Sequence, residues 1–269
     1  MKIIQKTIEW VTASVLALGV ASAVARADDS SGEAFSCQGL PTHNQLQKQL
    51  SSARAEANGG FNLDMWGTVV NRDGIVCAVA FTGSDRGSEW PGSRVISAQK
   101  AYTANAFSLP GLSLSTANHY AAVQPGGSLY GLQHSNPVSP EDAYLGPAAN
   151  FGQPNDPMVG RRVGGVNVFG GGLALYDSGH NLVGAIGVSG DTSCADHNIA
   201  WRTRHKLKLD YVPGGVNDVD PTRPDNINYA GIGGVVLGTL AFDFSHPVCK
   251  IKNVDGVSNI SLKKLPPTR

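Results

Sequence analysis

Gly67-Thr-Val-Val-Asn-Arg-Asp-Gly-Ile-Val-Cys-Ala-Val-Ala-Phe-Thr-Gly83 sets apolar β-formers on either side of Asn71-Arg-Asp-Gly74, and a helix-forming stretch follows from Ser93 to Phe107. Gly172-Leu-Ala-Leu-Tyr-Asp-Ser-Gly-His-Asn-Leu-Val-Gly-Ala-Ile-Gly-Val-Ser-Gly190 repeats the arrangement around Asp177-Ser-Gly179 and leads into a second helical stretch, Cys194 to Lys206. Both read as short hairpins, with Gly supplying the positive φ of each turn. Apolar residues occupy both faces of Leu63 to Thr82, the pattern of strands covered on two sides. Two hairpin–helix units around a central sheet make an α/β domain large enough to hold a ligand.

Other elements attach to this frame. Thr42 to Asn58 spaces Leu46, Leu50 and Ala53 along one helical face, with Gly59-Gly60 as its stop. In the Ala-rich stretch Ser93 is the expected N-cap; Val95, Ala98 and Tyr102 share one face, and Ile96, Lys100, Thr103 and Phe107 the neighbouring one. Ser108 to Gly172 is rich in Pro and Gly, with a short helix expected at Ser115 to Ala122. Tyr120, Tyr130, Tyr144, Phe151 and Phe169 give it apolar material to bury, so it reads as an ordered insertion that lids a pocket or builds an oligomer interface. Leu207 to Asp225 reads as loop, Gly234 to Phe244 as a strand, and the end, with Val254-Asp-Gly256, as a wrapping tail or edge hairpin.

Lys2 and Lys6, the apolar run Val15 to Val24 and Ala25-Arg-Ala27 have the form of a secretory signal peptide over residues 1–27. That leaves 28–269 as a single domain with an insertion at 108–172 and a C-terminal extension at 207–269. The apolar run is shorter than the roughly 20 residues of a spanning helix, so a secreted or periplasmic protein without a membrane span is expected. The 21 basic and 21 acidic residues cancel and no basic run occurs, which argues against nucleic acid. Cys37, Cys77, Cys194 and Cys249 are even in number and far apart, as expected of two disulfides in an oxidising compartment. Of the three pairings, Cys37 with Cys77 and Cys194 with Cys249 is preferred, because each ties a peripheral segment to one hairpin–helix unit.

The Asn71-Arg-Asp-Gly74 hairpin with Ala98-Gln-Lys-Ala-Tyr-Thr103, and Gly184-Ala-Ile-Gly-Val-Ser-Gly190 before a helix that opens with Asp196, resemble the GlcG/HbpS-like family, also called the haem-degrading domain family. The resemblance implies an α+β fold, profilin-like, with an antiparallel sheet flanked by helices. It also implies ring-like homo-oligomers and, in some members, haem binding linked to haem degradation or iron-based redox sensing. The long insertion, the C-terminal extension and the four cysteines depart from the compact family pattern.

Several residues are candidates for the cofactor. Lys100 and Thr103 lie on the helix that resembles the family's, where a lysine meets a propionate and a hydroxyl approaches iron or a bound water. Against that, a helical Thr often bonds back to a carbonyl one turn earlier and a Lys is often solvated. Gly187, Ser189 and Gly190 lead from a strand into a helix, whose free N–H groups favour an anion. Capping alone, by Asp191, Thr192 or Ser193 with Ser193 and Asp196 as a box-like pair, explains the same residues. The motif is not Gly-x-Ser-x-Gly, so a hydrolase elbow is not supported. His197, Trp201 and His205 share a helical face, but the two histidines stand about 12 Å apart along the axis and cannot share a metal. His197 alone is a candidate ligand for haem iron. His119, His134 and His246 lack ligand spacing. Trp66, Trp90 and Trp201 suit stacking on a macrocycle or, more commonly, the core. Asp85, Arg86, Glu89 and Arg94 form a charged loop suited to a subunit contact or to solvent. The function expected is that of a secreted haem-binding protein. The alternatives are an enzyme that degrades haem or acts on a small organic acid, and an oligomeric scaffold without a small ligand.

Overall fold

In the computed structural model, which describes residues 36–218, 220–229, 244–249 and 265–269, the two hairpins join in one antiparallel sheet. Its strands are β1 (Trp66–Asn71), β2 (Val76–Phe81), β3 (Gly172–Tyr176) and β4 (Leu182–Ser189), in the order β2-β1-β4-β3. The hairpins meet along β1 and β4, where Trp66 stands opposite Ser189 and Asn71 opposite Gly184. A parallel pair, β5 (Asn228–Tyr229) and β6 (Ser245–His246), lies apart from this sheet. The described residues belong to one compact unit, residues 35–269.

Helices cover both faces, which is why the two central strands carry so few polar side chains. On one face α1 (His43–Arg54) and α5 (Ser193–Lys206) pack on each other and on Val69, Ala78, Leu173, Ile186 and Val188. Leu46, Leu50 and Ala53 of α1 are fully buried there, as their spacing predicts. On the other face α2 (Ser93–Phe107) lies over Trp66, Val70, Val79 and Ala185. Close approach of α2 depends on small residues: a Cβ added to Gly187 would overlap the Ser97 carbonyl oxygen. Thr68 of β1 meets Ser97 through a 2.7 Å hydroxyl contact on the same surface.

The turns and caps differ from the sequence expectations in informative ways. Gly74 adopts φ +74 as expected, but in the second hairpin the left-handed residue is His180 at φ +60 rather than Gly179. There the Asp177 carboxylate accepts from Gly179 N at 2.8 Å and Asn181 N at 3.0 Å, and this local network carries the chain one residue further before it reverses. Helix α1 ends at Arg54 with Ala55 as C-cap, ahead of Gly59-Gly60, which lie in the following loop. Gly92, not Ser93, is the N-cap of α2, and no side chain caps it.

Within the insertion, the expected helix at Ser115 to Ala122 is instead two 3-10 turns, Thr116–His119 and Ala121–Val123. Two single-turn helices follow, α3 (Leu132–Ser135) and α4 (Pro140–Ala143). Aromatic burial is only partial, for Tyr130 and Tyr144 are exposed and Phe169 is 45 % exposed. Smaller residues anchor the segment: Met158 and Val163 join the α2 face, while Val123, Val166 and Val168 form their own cluster. Arg94 stacks on Phe151 at 3.6 Å and pairs with buried Asp156, tying the insertion to the start of α2.

The disulfides are Cys37–Cys77 and Cys194–Cys249, the preferred pairing. Among the described residues of 207–225 there is neither helix nor strand, as expected. At the end of the chain Leu265 enters the core and Pro266 accepts a 2.9 Å bond from the Trp201 indole. The proposed leader at 1–27, nearly all of the strand expected at Gly234 to Phe244, and Val254-Asp-Gly256 lie outside the described residues. No helix among the described residues is long and apolar enough to cross a membrane.

Candidate functional site

Where β4 hands the chain to α5, Gly190 takes φ +159 and turns the backbone beside the start of α2. A cleft of about 410 Å³ opens there, a size typical of small-molecule sites. Trp90, Gly92, Ser93, Ile96 and Lys100 come from α2 and its approach, Ser189, Asp191, Ser193 and Asp196 from the strand–helix junction, and Phe169 from the insertion. Trp90 and Phe169 are 52 % and 45 % exposed, so two large rings stand open to solvent at the cleft. Phe61 meets Trp90 edge to face at 6.4 Å, extending the aromatic surface.

The polar groups of the cleft are strongly organised. Lys100 is 1 % exposed, and its ammonium donates to Asp196 Oδ2 at 2.7 Å and to the Val188 carbonyl at 3.1 Å. Burial pushes the Asp196 carboxyl up to about 6, with the Lys100 charge opposing that rise. The other Asp196 oxygen accepts from Asp191 N at 2.8 Å. Asp191 in turn accepts from the backbone of Phe61 at 2.9 Å, Leu63 at 3.1 Å and Thr192 at 2.6 Å, fastening the loop after α1 to the start of α5. Nearby, burial drives the Glu89 carboxyl up to about 8, against the opposing effect of the Ser93 side chain.

Helix α5 is capped by Thr192, whose hydroxyl accepts from Ala195 N, so the box-like pair of Ser193 and Asp196 does not form. Ser193 lines the cleft, and its hydroxyl lies 3.2 Å from His246 Nε2 and 3.6 Å from Cys249 Sγ. His246 Nδ1 sits 2.7 Å from the Pro247 carbonyl, and burial lowers this imidazole to about 4.

Of the residues singled out from sequence, Lys100 and Ser189 line the cleft. Gly190 forms its turn, and Gly187 lies deeper, under α2. Thr103 is fully buried; its hydroxyl donates to the Gln99 carbonyl at 2.8 Å and accepts from Asn167 N at 3.0 Å. His197 is also fully buried, with Nε2 3.1 Å from Asn226 Oδ1, Nδ1 without a partner among the described residues, and a pKa lowered by burial to about 3. Trp66 and Trp201 are core residues, while Trp90 faces the cleft. In the charged loop Arg94 and Glu89 are buried, and Asp85 and Arg86 are exposed. His205 pairs with Asp210 at 2.7 Å. No cluster of three or more His, Cys, Asp or Glu suited to a metal occurs among the described residues.

Sequence reasoning missed the partnership of Lys100 with Asp196 and of Ser193 with His246. A signal for each was present. A lysine on a helix face otherwise made of Ile, Thr and Phe needs a counter-charge when buried. Ser193 precedes Cys194 and His246 lies three residues before Cys249, so the preferred disulfide already brings the two together.

Residues 42–204 match the model of the haem-degrading protein HbpS-like family. Among solved structures the chain is similar to a PduOC–haem complex, at 21% identity over 61% of this chain and 89% of that one, with a TM-score of 0.42. It is similar to the Klebsiella pneumoniae protein ORFY, at 24% identity over 62% and 90% with a TM-score of 0.41, and to HbpS, at 16% identity over 65% and 94% with a TM-score of 0.37. No curated protein sequence matches the chain. The family match spans more than half of the chain and contains both hairpin–helix units, and this protein belongs to the HbpS-like family.

Proposed function

We propose that this chain is a secreted haem-binding protein and that haem, or a related flat anionic ring, enters the cleft between α2 and the start of α5. The observation that carries the reading is the open cleft itself, in which Trp90, Ile96 and Phe169 offer apolar surface above a floor of hydrogen-bonding groups. PduOC, with a haem complex, supports the choice of cofactor. Export is supported by the form of residues 1–27 and by two disulfides, which persist in oxidising compartments.

The residues fit the macrocycle better than its carboxylates. Trp90, Ile96 and Phe169 would hold a planar ring by dispersion and stacking and would keep water from it. Lys100 is the cation in the lining, yet it is bonded to Asp196, so a ligand carboxylate must compete with Asp196 for the ammonium. Ser189 and Ser193 contribute hydroxyls beside that pair. Thr103, Gly187 and His197 support the site from behind, through the bonds and close packing that hold α2 and α5 in place. Bound haem supplies a redox-active iron; the protein groups bind, orient and desolvate it.

A haem titration of the oxidised mature protein, followed at the Soret band, tests the reading. Saturation at one haem per chain is expected, with Trp90→Ala and Phe169→Ala each weakening binding about tenfold, the equivalent of 1.4 kcal/mol. Protonation of Asp196 as pH falls through about 6 frees Lys100, so Asp196→Asn should bind a carboxylate-bearing ring more tightly at pH 7. No band beyond that of an unrelated control protein would reject the proposal.

A further inference from the structure

We propose a second activity in the same cleft: Ser193 and His246 form a nucleophile–base dyad that hydrolyses aryl carboxylic esters. The dyad is recognised by geometry, since the two residues are 53 positions apart. A carbonyl oxygen only accepts hydrogen bonds, so the 2.7 Å contact with Pro247 fixes the proton on His246 Nδ1. Nε2 is then the acceptor, and Ser193 Oγ, 3.2 Å away, is its donor. This is the hydroxyl-to-imidazole relation of an activated serine, with a backbone carbonyl orienting the base.

Two further features suit acyl transfer. Ser193 is the first residue of α5, and its amide and that of Cys194 have no acceptor among the described residues. Helix-start N–H groups beside the nucleophile suit the oxyanion of a tetrahedral intermediate. The disulfide Cys194–Cys249 joins the residue after the nucleophile to the segment that carries the base, holding one against the other. The aromatic walls, Trp90 and Phe169, suit an aryl group.

The reaction balances without a cofactor. Ser193 Oγ adds to the ester carbonyl carbon while its proton passes to His246 Nε2. Collapse of the intermediate breaks the bond to the phenol oxygen, which takes that proton. Water then attacks the acyl-serine, again losing a proton to His246, and its collapse returns the proton to Ser193 and releases the acid. His246 is a weak base, lowered by burial and by the Lys100 charge, and lies near the Tyr120 and Tyr229 rings and His197. Phenols leave without strong protonation, which is why an aryl rather than an alkyl ester is the expected substrate.

The test uses 4-nitrophenyl acetate and a fluorophosphonate probe on the oxidised mature protein. Covalent labelling at Ser193, read by mass spectrometry, and loss of ester hydrolysis in the labelled protein are expected, so the result does not hinge on a variant that folds poorly. Ser193→Ala should lose both, and His246→Gln should slow hydrolysis at least about 100-fold. Activity should stay level from neutral pH down to about 5 and fall as His246 protonates near pH 4. Absence of label at Ser193, or equal hydrolysis by labelled and unlabelled protein, would overturn the dyad. The haem reading stands or falls separately on the Soret titration.

Discussion

In the unit β1–β2–α2 the first strand is central and the second is an edge, whereas in β3–β4–α5 the first is an edge and the second is central. The helices differ as well. Helix α2 settles on the sheet through Ala98, Ala101 and Ala104, with its backbone close against Gly172 and Gly187. Helix α5 buries Asp196, His197, Arg202 and Arg204 and pairs each with a partner on another element. One sequence pattern therefore serves two kinds of interface, a shape-matched one and a charge-matched one. The cleft lies where they meet, and Lys100 of α2 bonded to Asp196 of α5 is the bond between them.

Removing the shape match should cost the most. A side chain at Gly187 meets backbone of α2, at Ser97 and Ala101, rather than a flexible side chain that can move away. Gly187→Val should therefore prevent folding, a loss of more than about 4 kcal/mol, read as absent cooperative melting and failure to form both disulfides. A folded Gly187→Val protein would show that α2 floats on the sheet.

The charge match should fail more selectively. Arg204 and Asp225 are both fully buried, with bonds of 2.6 and 2.8 Å, and Arg204 also lies over Trp201. Burial alone would raise the Asp225 carboxyl, yet Arg204 holds it below its ordinary value. Arg204→Met strands that carboxylate and should destabilise by about 3–5 kcal/mol. Arg204→Met with Asp225→Leu should recover most of the loss, by chemical denaturation, since an apolar pair of similar volume is often as stable as the ions it replaces. If the double variant is no better than the single one, α5 depends on charge for more than pairing.

The shape-matched unit was the more legible in sequence. Apolar runs on both faces and the Ala-rich stretch give β1, β2 and α2 with nearly their observed bounds, because burial on both faces leaves a strong hydrophobic pattern. Helix α5 was legible as a helix but not in its contacts: what Asp196, His197 and Arg204 touch depends on residues 100, 226 and 225, and periodicity carries no pairing information over such distances. The insertion misled through its aromatics, of which Tyr130 and Tyr144 stay exposed while valines and Met158 do the packing. Ser189 was a candidate because it leads a strand into a helix, and Lys100 because its helix resembles the family's; both line the cleft. His246 was not a candidate, because only the fold and a disulfide bring it to Ser193.

The smallest expected effect separates the two turns. Gly74 has φ +74, and a Cβ there would also press on the Tyr102 ring, so Gly74→Ala should cost about 1–2 kcal/mol. Gly179 is not left-handed, and its added Cβ would meet only the side chains of Asn181 and Asp177 at the surface, so Gly179→Ala should change stability by less than about 0.5 kcal/mol. His180 carries the strain instead, and His180→Asn should be neutral or slightly stabilising, because Asn tolerates that region better. Melting temperatures of the three variants decide it. Equal losses at Gly74 and Gly179 would mean that the turns reverse the chain in the same way, and the Asp177 network would then not be what shifts the left-handed position to His180.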